Sequence, residues 1–296
     1  MTALARAAAA TRARPELWIV ALGGFLARGG IVLLILPMMP VPSTVGLATL
    51  VGPTSVTAAG LTPDSVVRLV IVVTLAVAWL LAGSAVGAVA DSATVGGFGP
   101  AAPSSQPAPS SRARRIARLV ALRFVALVPL IVVVAVSARS VGELVYQELV
   151  LPRDVAAPLV LRVVEGAQVQ VAAIGLAWIV GEVFGGIAVR LAIVDDRSFG
   201  RAIGGAFVHV VRHPRATLVA TFVGLVGLIA AVAPGIVLAG AAWDSLGRSV
   251  AGAIDGRAVA GATVVLVAVW VGWAAVAAIV AAFRGALWTA ELARTR

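Results

Sequence analysis

The sequence predicts an all-α, polytopic transmembrane helix bundle, with about six spanning helices and one interfacial amphipathic helix. Three observations predict it. Of the 296 residues, 61% are hydrophobic and only 12% charged, whereas a soluble domain carries roughly 25% charged residues. The apolar residues form runs longer than the roughly 20 needed to cross some 30 Å of hydrocarbon. No run alternates in the strand period, which disfavours an outer-membrane barrel. In lipid the backbone finds no external partners, so the runs must be helices.

The first run is Leu17–Met39, preceded by Arg6, Arg12 and Arg14. That arrangement imitates a signal peptide, but the run is too long for a signal core. Pro37 and Pro40 close it where a cleavage site would need small residues, so we read a retained first span. Pro40–Leu61 carries no charge and is read as an outside loop or a shallow re-entrant segment, both alternatives standing. The second span, Val66–Ala90, follows Thr62-Pro63-Asp64: a capping hydroxyl, a first-turn proline and an acid against the dipole. Asp91–Arg115 holds a Pro/Ser/Ala tract without periodicity and reads as a disordered cytoplasmic linker. The third span is Ala117–Ala138. Arg139–Ala167 is the largest outside segment, with one short amphipathic helix at GELVYQELV and another opening at the proline of AAPLVLRVVEG. Gln170–Val194, Thr217–Ala242 and Val259–Phe283 complete the set, and Pro234-Gly235 should kink the fifth. The whole chain, 1–296, reads as a single membrane domain without a soluble one.

Between the fourth and fifth spans lies the clearest patterned element. Phe199, Ile203, Ala206, Phe207 and Val210 share one face, and Arg201, Gly205, His209 and Arg212 lie opposite. This is an amphipathic helix that ends before Pro214 and should lie in the inner interface.

Arginine counting orients the chain. With the N-terminus in the cytoplasm, the inside segments hold 13 arginines and the outside segments 5, which predicts a bacterial cytoplasmic membrane protein with both termini on the cytoplasmic side. Trp18 and Trp288 then fall near the inner interface and Trp243 near the outer one.

The net charge of +10 is carried by arginine alone; there is no lysine and no asparagine. Both missing residues use A-rich codons, so the bias points to a GC-rich bacterial genome and not to nucleic acid as a partner. The implied partner is the lipid bilayer, with other membrane subunits as candidates. The absence of cysteine excludes disulfides and thiolate sites. Phosphate-binding GxxxxGK[ST], HExxH, GxGxxG and GxSxG motifs are all absent, so the reading is of a protein that is not an enzyme and takes no cofactor.

Two charges fall near the centres of their spans, Arg28 and Glu182. Alone, each would cost about 2.5–3.5 kcal/mol on the insertion scale, so we expect them to pair inside the bundle. The pair is either a structural tie that sets helix register or part of a polar path. Gly23, Gly24, Gly29 and Gly30 surround Arg28; Gly181 and Gly185 flank Glu182; Gly83 and Gly87 repeat the spacing in the second span. They allow close backbone approach, or an unwound, site-forming helix. Arg123 and Arg190, near the inner ends of their spans, can snorkel to lipid phosphates. Arg190, Arg197, Arg201 and Arg212 are the candidate interfacial lipid contacts. His209 and His213 stand four apart, but Pro214 ends the helix there and only Asp195 and Asp196 stand nearby, so we read no metal site. The acidic doublet reads as the cap of the following helix.

The stretch VRLAIVDDRSFGRAIGGAFVHVVRHPRATLVA, residues 189–220, resembles a broad group of bacterial polytopic membrane proteins, including the membrane domain attached to some glycerophosphoryl diester phosphodiesterases. The resemblance implies a six-helix integral membrane protein; it brings no active-site residue, because the soluble catalytic domain of those enzymes has no counterpart here. The function expected is that of an accessory or scaffold component of the cytoplasmic membrane, the alternative being a transporter or permease subunit with a midplane Arg28/Glu182 site.

Overall fold

A computed structural model describes residues 2–38, 56–57, 60–61, 63–98, 109–154, 159–252 and 256–295. Six helices are long and apolar enough to cross a membrane: Glu16–Met38, Val70–Phe98, Ala113–Glu148, Gln168–Val194, Pro214–Ala251 and Gly256–Arg294. The chain is a multi-pass integral membrane protein of the all-α class.

The elements are α1 (Ala3–Ala13), α2 (Glu16–Phe25), a π-turn (Leu26–Gly30), α3 (Ile31–Ile35), a 3-10 turn (Leu36–Met38), α4 (Pro63–Phe98), α5 (Pro109–Val150), α6 (Leu159–Gly166), α7 (Gln168–Val194), α8 (Phe199–Arg212), α9 (Pro214–Ala251) and α10 (Gly256–Arg294). Val56–Thr57 and Gly60–Leu61 pair as two-residue antiparallel strands β1 and β2.

The helices outrun the apolar segments that predict them. α5 continues through GELVYQELV, which is its last turns and not a separate helix. α5 runs through Pro129, no further proline comes before Pro152, and an Arg139–Glu143 pair at 2.8 Å bridges the end of the apolar run. The predicted linker is helical at both ends: residues 91–98 complete α4 and 109–115 begin α5, while 99–108 lie outside the described residues. Most of Pro40–Leu61, and Thr62 of the expected cap, also lie outside them. The arginine-bearing N-terminus forms α1, which turns Ala3, Ala7 and Thr11 inward at four-residue spacing and packs on α10.

The chain divides into two compact units. The first comprises Met1–Met39, Ala82–Arg123 and Val183–Arg296; the second comprises Pro40–Leu81 and Phe124–Glu182. Three helices, α4, α5 and α7, contribute residues to both.

In the first unit α9 and α10 form an antiparallel hairpin. Gly224 lies beside Arg284, Gly227 beside Val280 and Gly235 beside Trp273. A Cβ at Gly235 would run into the Trp273 indole, so Pro234-Gly235 serves the contact between these helices. The proline stays inside a continuous α9. Leu34, Val232, Ala239 and Trp273 form one buried cluster, with Phe25 and Trp270 against it, and the Trp270 indole donates to the Leu34 carbonyl at 3.1 Å. Trp288 is buried and Trp243 exposed.

The second unit holds α6, α5 from Phe124 to its end, and the first parts of α4 and α7. Glu148, 2% exposed, is gripped by Arg153 and, at 3.0 Å, by Arg162. Arg162 also donates to the carbonyls of Asp154 and Glu148. One carboxylate thus staples α6 and the turn after α5 to the end of α5.

Candidate functional site

The polar interior of the first unit is built around a break in the first span. Arg28 (φ −85°, ψ 18°) and Gly29 (φ 104°, ψ −5°) leave helical geometry inside the Leu26–Gly30 π-turn. Gly29 is in the left-handed region, where a side chain would be strained. Non-helical backbone at membrane depth persists only where protein or a cavity covers it. Here α4 covers it through glycine. A Cβ at Gly83 would collide with the Ala27 carbonyl oxygen, and one at Gly87 would lie 3.2 Å from Arg28 Cδ. Gly24 makes the reciprocal approach, its Cβ position 2.7 Å from Ala90 Cβ.

That closeness brings Arg28 to Asp91, one helical turn beyond Gly87. Arg28 Nη1 lies 3.5 Å from Asp91 Oδ1, and its Nε donates to the Gly24 carbonyl at 2.9 Å. Arg123 of α5 holds the other carboxylate oxygen with two donors, Nε at 3.0 Å and Nη2 at 2.6 Å. Asp91 and Arg123 are buried, while the Arg28 side chain is 30% exposed. Three spans therefore meet on one aspartate. A charged group in low dielectric needs such partners, because desolvation otherwise costs several kcal/mol per ion.

Arg190 lies in the same unit and is turned inward. It donates to the Gly186 carbonyl at 2.8 Å, the Gly285 carbonyl at 3.3 Å and Thr289 Oγ1 at 3.4 Å. These acceptors are neutral, and among the described residues no carboxylate lies within 4 Å of Arg190. The expectation that Arg123 and Arg190 snorkel to lipid is corrected: both are buried. Arg123 turns to the Asp91 carboxylate, and Arg190 to the Gly186 and Gly285 carbonyls and the Thr289 hydroxyl.

A second polar region lies at the turn between α7 and α8. Asp196 has φ 48°, a left-handed conformation that aspartate tolerates. Its carboxylate accepts from Arg118 at 2.5 Å, and this bond holds its pKa below the ordinary value of 3.8. Arg115 and Arg118 donate to the Ile193 and Ala192 carbonyls at 3.0 and 3.2 Å. Cations thus satisfy the open end of α7. The acidic doublet does not cap α8, because the N-cap is Ser198, whose side chain makes no capping bond. Asp195 instead pairs with Arg197 at 3.1 Å.

α8 has three sectors. Ala202 and Ala206 face inward. Phe199, Phe207 and Val211 are exposed on one side, with Phe207 stacked on Phe184, ring centroids 6.3 Å apart. The other side lines an open groove of about 580 Å³ with Leu191, Arg197, Arg201, His209, Arg212 and His213. The His209 and His213 rings lie 5.2 Å apart.

Of the residues expected from sequence, Arg197, Arg201 and Arg212 come together in this groove and Arg28 meets Asp91. Glu182 is half-buried and ends the second unit. The residue that sequence reasoning missed is Asp91, placed at the head of a linker. A signal was present: Gly83, Gly87 and Asp91 are spaced by four, which puts them on one helix face.

No protein family matches this chain, and no curated protein or solved structure is significantly similar to it.

Proposed function

We propose that this protein is an accessory or scaffold component of a bacterial cytoplasmic membrane, with both termini and α8 on the cytoplasmic side. The observation that carries the reading is the fixed role of the buried charges: Asp91 ties α4 to α5 and to the turn after α2 through Arg123 and Arg28. The spans also leave much apolar surface for lipid or neighbouring helices. Only 17% to 33% of each span's most apolar window is buried within the chain. The arginine bias of 13 to 5 supports the orientation. The reading assigns the protein no reaction and no cofactor.

A second reading, a transporter or permease subunit, draws on the broken helix at Arg28–Gly29, since discontinuous helices form binding sites in transporters. One experiment separates the two. The chain has no cysteine, so Ser84→Cys, at a buried position beside Gly83 in α4, and Glu182→Cys each introduce a unique thiol. Under the scaffold reading neither reacts with a water-soluble maleimide from either side of the membrane. Labelling from either side transfers the argument to transport. Ser198→Cys and Thr295→Cys should label only from the cytoplasm and Ser249→Cys only from outside; the reverse pattern overturns the orientation.

A further inference from the structure

We propose that the groove along α8 is a binding site for a phosphate-bearing anion, with Arg201 and Arg212 as its principal ligands. The site deepens the reading of α8 as an interfacial element, but it does not depend on which side of the membrane α8 faces.

Three observations carry it. The first is charge. Arg197, Arg201 and Arg212 line one groove, and the carboxylate paired with them is Asp195, 3.1 Å from Arg197. Among the described residues neither Arg201 nor Arg212 has a carboxylate within 4 Å. Three guanidiniums and one carboxylate leave two positive charges, the match for a phosphomonoester dianion. The second is shape. At about 580 Å³ the groove takes a phosphate group with its substituent. Glycine keeps its floor open: a Cβ at Gly205 would lie 2.5 Å from Arg197 Nη1 and 3.0 Å from Leu191 Cδ1. The third is position. Val208 lines the groove and is exposed together with Val211 and Phe207, which follow it around the helix, so a phosphate held by the arginines can carry an acyl chain along that apolar side. The shared chemistry is the phosphate; an anionic lipid or a soluble phosphorylated solute can supply it.

The test uses the full chain in an uncharged detergent. Short-chain phosphatidic acid, phosphatidylcholine of equal chain length and inorganic phosphate are titrated separately, with binding followed by calorimetry and native mass spectrometry. We expect phosphatidic acid to bind and phosphatidylcholine not to. The double variant Arg201→Gln/Arg212→Gln should weaken binding at least about tenfold, through loss of two charge-assisted contacts. Arg6→Gln/Arg12→Gln, which removes two basic residues of α1, should leave it unchanged. Gly205→Val tests the same groove by displacing Arg197 without removing a charge, and it answers the question if the double variant fails to fold. Competition by inorganic phosphate alone identifies a soluble source; binding that needs the acyl chain identifies lipid. Both outcomes support the site. Absence of binding by either ligand, or equal weakening in the α1 variant, overturns it. Failure of the thiol-labelling pattern above would overturn the orientation and leave these titrations unaffected.

Discussion

Two clusters of this protein have the same composition and different reach. In the second unit Glu148 sits between Arg153 and Arg162, five and fourteen residues away. In the first unit Asp91 sits between Arg123 and Arg28, separated by 32 and 63 residues. The first arrangement closes one stretch of chain on itself. The second joins separate spans at a break in one of them. One carboxylate between two guanidiniums is thus a local staple in one place and a tertiary clamp in the other.

The comparison is tested most severely at Asp91. Asp91→Asn removes the buried carboxylate that both Arg28 and Arg123 hold, and removing one partner of a buried pair costs about 3–5 kcal/mol. Thermal unfolding in detergent should show a larger loss than any single substitution at the Glu148 cluster. The triple change Arg28→Met/Asp91→Leu/Arg123→Met should recover most of it, since apolar replacement of a buried ionic cluster is often neutral. If the triple variant is as damaged as Asp91→Asn, the cluster does more than hold the helices.

Glu148→Gln should cost less, about 1.5–3 kcal/mol, the range for hydrogen bonds to charged groups. Arg153 is 58% exposed and returns to solvent, while Arg162 keeps the Asp154 and Glu148 carbonyls as acceptors. Equal losses at Asp91 and Glu148, by the same unfolding measurement, would erase the distinction between staple and clamp.

This difference in reach also explains what the sequence reveals. The six spans are legible because about 20 consecutive apolar residues have one stable disposition in lipid. The α8 pattern is legible because its periodicity is local, and the helix runs from Phe199 to Arg212 before Pro214 as the pattern requires. The partner of Arg28 is not legible by depth. Counting along a span finds its centre, but Arg28 lies in a turn whose contacts are set by which helix can come close. Gly83 and Gly87 made that decision in favour of α4, and Asp91 lies on their face. The true helix ends were hidden for a simpler reason. Apolarity stops at the edge of the hydrocarbon, but backbone hydrogen bonding continues until a breaker, as at Val150 before Pro152.

Glycine provides a control that involves no charge. Gly83 lies under the Ala27 carbonyl in the first unit, and Gly181 under the Ala126 carbonyl in the second. A methyl at either position must push backbone, so Gly83→Ala and Gly181→Ala should each cost about 1–3 kcal/mol, the range for overpacking. Gly23 and Gly96 have nothing within 4 Å of a built Cβ; alanine there should be neutral or stabilising by up to about 1 kcal/mol. If all four alanine variants unfold at the same temperature, close helix approach is not what holds either unit.

The smallest effect is expected at the α7–α8 turn, and it depends on pH. The Arg118 hydrogen bond lowers the pKa of Asp196 in the folded chain, with the Arg118 and Arg115 charges acting in the same direction against partial desolvation. A carboxyl whose folded pKa is depressed contributes its stability above the unfolded value, and loses it as pH falls through the folded value. Asp196→Asn keeps a residue that tolerates φ 48° and removes only the charge. The variant and the parent should therefore differ slightly at neutral pH and converge below the ordinary value of 3.8. Because the Asp196 side chain is 86% exposed, the neutral-pH difference belongs with exposed ion pairs, at about 0–1 kcal/mol. Unfolding temperatures measured across that acid range would decide it: a gap between variant and parent that widens on acidification contradicts the sign derived from the Arg118 contact.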